Sequence, residues 1–252
     1  MLPARSRLGL LLLGALLALV LYVLLPATRH GQHSAGARPE EGTRGRWAAN
    51  ATVRRGMAAG EPPVFYREVS SGPRASSPGR PDVLFLHGQA FTSKTWEALG
   101  TLALLAGEGY RAVAIDLPGR TMMVASAQGR VAFLDHVLQE LGMQRPVLVS
   151  PSMSGRFALP FLLARGDRLA GFVPIAPVGT KDYAAEQYQQ VQTSTLILYG
   201  DRDTRLGPQA LQSLRHLPRH RVAVVPNAGH ACYLDKPEDF HRALLGFLDQ
   251  LK

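Results

Sequence analysis

From residue 52 onward, compact apolar runs alternate with longer stretches whose apolar positions recur every third or fourth residue. The compact runs read as buried strands: Thr52–Met57, Val64–Val69, Asp82–Leu86, Arg111–Ile115, Val147–Val149, Gly171–Ala176, Thr195–Tyr199 and Arg221–Val225. The recurrent stretches read as helices. Trp96, Leu99, Leu102 and Ala103 share a face over 92–105, and Phe133, Leu134, Val137, Leu138 and Leu141 share one over 131–141. Further helices are expected over 157–165, 182–190, 208–217 and 237–251. Such alternation predicts an α/β fold: a mostly parallel central sheet with helices on both faces. Sheets of this kind take ligands in the crevice beyond the carboxyl ends of their strands.

The N-terminal arm has a different pattern. Leu8 to Leu25 is an uncharged run of 18 residues, with Arg5 and Arg7 before it and Pro26 after. It has no polar face, as a buried helix would, and no small-x-small cleavage pattern follows it directly. A transmembrane signal anchor is expected there. Residues 26–49, rich in Gly, Arg, Ala and Ser, read as a flexible stalk between the anchor and a folded domain over 50–252; residues 1–7 form a short tail. The flanking positive charges are nearly balanced. The sequon Asn50-Ala51-Thr52 favours a single-pass type II arrangement with a lumenal or extracellular domain, glycosylated at Asn50; a cytoplasmic-facing domain is the alternative.

The formal net charge of +9 suggests nucleic acid until it is located. Residues 1–60 hold eight Arg and two Glu, so most of the basicity lies in the arm, and no nucleic-acid partner is expected. Cys232 is the only cysteine, which excludes an intrachain disulfide and a cysteine-built zinc site; no metal and no cofactor are expected.

The candidate chemistry lies just after the strands. Val147-Leu148-Val149-Ser150-Pro151-Ser152-Met153-Ser154-Gly155 has the layout of a nucleophile elbow, a tight strand-to-helix turn that lifts a serine hydroxyl above a sheet. Serine is a poor nucleophile without a base to take its proton and an acid to hold that base in the right tautomer. Asp203, after the strand TLILY, and His230, after RVAVV, stand in the required chain order, with Asp201 as local competitor for the acid role. Two backbone N–H groups are expected to hold the oxyanion, those of Met153 and Gln89. His87 reads as a packing residue under that loop, and Cys232 as a buried structural thiol.

The motifs HGQAF, DLPG, SPSMSG, YGDRD and NAGH together resemble the α/β-hydrolase superfamily. More narrowly, LFLHGQAFTSKTW, GFVPIAP, LILYGDRD and NAGHACYLDKPEDFH look like the α/β-hydrolase domain-containing 14 subfamily, its membrane-tethered branch being the closer match. The resemblance implies an α/β-hydrolase fold and a membrane-anchored serine hydrolase. Two departures stand out. Both glycines of G-x-S-x-G are serines here, and DLPG continues as Arg120-Thr121-Met122-Met123 rather than x-G-x-S. Only Pro177 to Ser194 separate the strands GFVPIA and TLILY, so a minimal lid is expected, with a site open to a small-molecule or acylated substrate such as an ester or thioester. A non-catalytic binding or scaffolding protein and an acyltransferase are the alternatives. The oligomeric state is not legible.

Overall fold

The computed structural model describes residues 52–70, 79–119 and 126–251. In chain order come β1 (Arg54–Ala58), β2 (Val64–Val69), β3 (Val83–Phe85), α1 (Lys94–Ala98), α2 (Thr101–Gly107) and β4 (Ala112–Ile115). There follow α3 (Ala127–Glu140), β5 (Val147–Pro151), α4 (Gly155–Arg165), β6 (Gly171–Ile175) and α5 (Ala185–Gln189). Then come β7 (Ser194–Gly200), α6 (Leu206–Leu214), β8 (His220–Val225), α7 (Cys232–Asp235) and α8 (Pro237–Leu248).

The strands form one sheet in the order β1-β2-β4-β3-β5-β6-β7-β8. β2 runs antiparallel to both β1 and β4, and every pairing from β4 to β8 is parallel. β5 lies near the middle, with Val149 level with Phe85 on one side and Val173 on the other. Strands β3 to β6 are buried throughout, which explains why they read as unbroken apolar runs rather than alternating ones.

Helices cover both faces. Leu134, Leu138, Phe157, Phe161 and Leu214 bring α3, α4 and α6 to one core. Trp96, Leu105, Tyr233, Phe240 and Leu248 bring α1, α2, α7 and α8 to the other. Trp96 is fully buried there, its ring 4.8 Å from Phe85 and 4.9 Å from Tyr233, and its indole N–H donates to the Leu86 carbonyl at 2.8 Å.

Several expected boundaries move, each for a local reason. The single helix expected over 92–105 is two, because Gly100 adopts a left-handed conformation (φ 73°) between α1 and α2. α3 begins at Ala127, ahead of its apolar face, because the Ser126 hydroxyl accepts the Gly129 N–H as an N-cap. The helix expected over 182–190 shrinks to a 3-10 turn at Thr180–Asp182 and the five residues of α5, with extended backbone at Tyr183 and Ala184 between them. That is the whole excursion between β6 and β7.

The expectation of a membrane anchor is corrected. Among the described residues no helix is long and apolar enough to cross a membrane. The longest, α3, has 14 residues and at the helical rise spans about 21 Å, against roughly 30 Å of hydrocarbon. The run Leu8–Leu25 and the sequon at Asn50 lie outside the described residues. The N-terminal transmembrane helix, the membrane-tethered branch, the membrane partner and the type II placement with a lumenal or extracellular domain are therefore not supported.

Candidate active site

Ser152 follows β5 directly and has φ 50°, a left-handed backbone that non-glycine residues rarely adopt. Ser152 to Ser154 form one 3-10 turn that leads into α4, so the hydroxyl stands at the carboxyl edge of the sheet. The two serines that replace the usual glycines are both fully buried. The Ser154 hydroxyl donates to the Pro151 carbonyl at 2.7 Å and lies 3.0 Å from the Ser150 hydroxyl, so its remaining lone pairs accept the Ser150 proton. Their polar groups are thus satisfied against each other. The close approach that demands glycine falls one residue later. A Cβ on Gly155 would lie 2.5 Å from the Val178 carbonyl oxygen and 2.7 Å from the Pro177 Cβ. The Val178 N–H in turn donates to the Ser152 carbonyl at 2.9 Å, tying the turn to the loop after β6.

The other two groups arrive from neighbouring strand ends. His230 Nε2 lies 2.8 Å from Ser152 Oγ, and Nδ1 lies 2.7 Å from Asp203 Oδ2. With Nδ1–H donating to the carboxylate, Nε2 is left to accept the serine proton. Asp203 is buried at 7% exposure. Burial pushes its carboxyl up, but the hydrogen bonds from His230 and from the Arg205 and Leu206 N–H groups outweigh it and hold the pKa below the ordinary value. The acid of this site is therefore an anion at neutral pH. Ser152, His230 and Asp203 form a Ser-His-Asp triad, and the protein is a serine hydrolase.

Asp201, the competitor, serves the loop instead. Its Oδ1 accepts the Ala228 N–H at 3.2 Å, and the Arg202 N–H donates to the Ala228 carbonyl at 2.9 Å. Gly229, next to His230, donates to Asp235 Oδ2 at 2.7 Å. Asp235 carried no sequence signal beyond its nearness to His230. His87 Nε2 accepts the Leu117 N–H at 2.9 Å, which leaves its proton on Nδ1, donating to the Gly88 carbonyl at 2.8 Å. It ties the loop after β3 to the loop after β4 and has no free nitrogen for catalysis. Cys232 is fully buried, and burial pushes its thiol up to about 12, so it is no second nucleophile at neutral pH.

A cleft of about 750 Å³ lies beside Ser152. Gln89, Met153, Arg156, Asp116, Leu117 and Val178 are among its lining residues. The Asp116 carboxylate accepts the Ser93 N–H at 2.6 Å, which fixes one wall. Among the described residues no cluster of three or more His, Cys, Asp or Glu side chains could hold a metal ion. The altered loop Arg120-Thr121-Met122-Met123 lies outside the described residues.

The chain is 50% identical to rat ABHD14A (Rattus norvegicus) over 253 residues, covering 98% of this chain and 99% of the relative. The chain belongs to the ABHD14 family. A second ABHD14 relative, human ABHD14B, is 47% identical over 196 residues, covering 75% of this chain and 91% of that one. No protein-family model matches the chain. The crystal structure of a CIB-like hydrolase from Thermoplasma acidophilum superposes with a TM-score of 0.71 at 21% identity, covering 80% of this ABHD14-family chain and all of the other, a likeness of fold.

Proposed function

We propose that this ABHD14-family hydrolase removes a small acyl group from an ester, thioester or acylated acceptor through an acyl-enzyme on Ser152, within a catalytic domain spanning 50–252. The observation that carries the reading is the continuous chain of hydrogen bonds from Asp203 through His230 to a serine held at φ 50°. Human ABHD14B carries the name of a candidate protein-lysine deacylase, which supports an acyl group as the part transferred.

In the proposed sequence Ser152 Oγ attacks the substrate carbonyl carbon while its proton passes to His230 Nε2. Asp203, an anion beside Nδ1, stabilises the imidazolium that forms. The tetrahedral oxyanion accepts hydrogen bonds from the Met153 and Gln89 N–H groups. Two features support that choice: both residues line the cleft with Ser152, and a Cβ on Gly88 would lie only 3.7 Å from the Ser152 Cβ. Collapse breaks the bond to the leaving group, which takes the proton from His230. Water then attacks the acyl-enzyme with His230 as base, releasing the acid and restoring the serine.

The test is labelling of the full chain with a fluorophosphonate probe, beside Ser152→Ala and His230→Ala. Labelling of the wild type, lost in both variants while circular dichroism and melting temperature hold, is the expected result. An unlabelled but well-folded wild type would sink the reading.

A further inference from the structure

We infer that Arg156 selects substrates whose acyl group ends in a carboxylate. The inference deepens the hydrolase reading above and rests on it. Arg156 is the second residue of α4, one helical turn beyond Ser152, and lines the same cleft. It is exposed and, among the described residues, makes no ion pair or hydrogen bond. At the other end of the same helix Arg165 is paired, 3.2 Å from Asp135, and Arg168 just beyond lies 2.8 Å from the same carboxylate. Arg156 therefore differs from Arg165 and Arg168 in having, among the described residues, an unpaired guanidinium beside a reactive site.

Its position adds to the argument. The N-terminal turn of a helix carries partial positive charge from its unsatisfied N–H groups, so a cation there is disfavoured for stability. An anion bound in the cleft reverses that sign, because helix terminus and guanidinium then act together. Asp116 is the acidic group on the lining, and its carboxylate is already engaged by the Ser93 N–H at 2.6 Å. A guanidinium presents two parallel N–H donors that match a carboxylate, whereas a neutral acyl tail leaves it unpaired.

The leaving group must depart next to His230 Nε2, which protonates it. Met153, Gln89 and Arg156 line one cleft with Ser152. In the inferred complex that cleft holds the acyl half, and a dicarboxylic acyl chain joined to Ser152 at one end meets Arg156 with the other.

Two aryl esters matched in acyl length test this on the full chain: p-nitrophenyl hexanoate and the mono-p-nitrophenyl ester of adipic acid. The expected result is that the ratio of kcat/KM, adipate over hexanoate, falls at least tenfold in Arg156→Gln. Arg156→Lys should retain part of the preference and Arg156→Glu invert it. The same esters are bound without turnover in a Ser152→Ala background and followed by calorimetry, where adding Arg156→Gln should weaken the adipate ester at least tenfold relative to the hexanoate ester. If both ratios are unchanged by Arg156→Gln, the inference is overturned while hydrolysis stands. If the wild type turns over neither ester, the fluorophosphonate labelling decides the hydrolase reading and the calorimetric ratio still decides for or against Arg156.

Discussion

The Gln89 side chain is exposed, and its backbone N–H is the proposed oxyanion donor. That N–H can be removed almost alone. Gly88 to Phe91 form a turn closed by the Phe91 N–H donating to the Gly88 carbonyl at 3.1 Å, with Gln89 at its second position. Proline is favoured at that position, and Gln89 is not among the described residues with positive φ. Glycine before it tolerates the restriction that proline imposes on its predecessor. Gln89→Pro should therefore keep the fold and lose the proposed oxyanion donor, lowering kcat by about 10²- to 10³-fold. Thermal melting and ester kinetics check the two halves of that statement. An unchanged kcat in a folded variant would remove Gln89 from the oxyanion site and leave the Ser-His-Asp chain untouched.

At the scale of the element, the elbow between β5 and α4 shows what sequence pattern can and cannot deliver. Ser152, Asp203 and His230 were legible because each follows an apolar run, and a parallel sheet brings successive strand ends to one edge. The apparent defect, serine at 150 and 154, was legible only as a departure. Its resolution is three-dimensional: two buried hydroxyls satisfy each other and the Pro151 carbonyl, while the steric need for glycine sits at 155 against Pro177 and Val178 in the loop after β6. The break between α1 and α2 was hidden for a similar reason, since the apolar spacing of Trp96, Leu99 and Leu102 continues through a glycine whose φ alone shows the turn. The short α7 went unread because four residues are too few to show a period. Gly155→Ala tests the elbow. The added methyl meets backbone at Val178 rather than a yielding side chain, so the variant should lose about 1–3 kcal/mol of stability. Val178 also holds the Ser152 carbonyl. Labelling by the fluorophosphonate should therefore slow at temperatures where the variant is fully folded. Wild-type stability and labelling rate together would show that the elbow relaxes freely.

Across the whole molecule, the sheet divides two helical layers, and one of them carries both the triad histidine and an acid-sensitive joint. α7 follows His230 by one residue and places Tyr233 against Trp96 and Phe240. α8 continues that layer, and its His241 packs 5.5 Å from the Phe240 ring while Nε2 lies 2.8 Å from the buried Thr101 hydroxyl of α2. Burial disfavours the imidazolium and pushes the His241 pKa down from 6.5 to about 4. The unfolded chain therefore binds a proton near pH 6.5 that the folded chain refuses until about pH 4. Between those values the unfolded state holds more protons, so stability rises with pH; it is fully present above the unfolded value and declines as the solution is acidified. The slope from one such group is at most about 1.4 kcal/mol per pH unit. Urea unfolding of the full chain should show a loss of about 1–2 kcal/mol between pH 7 and pH 5, most of it absent in His241→Gln, whose amide can still meet Thr101 without titrating. Equal acid slopes in the two proteins would mean that the joint between α2 and α8 is not where this fold first yields to protons.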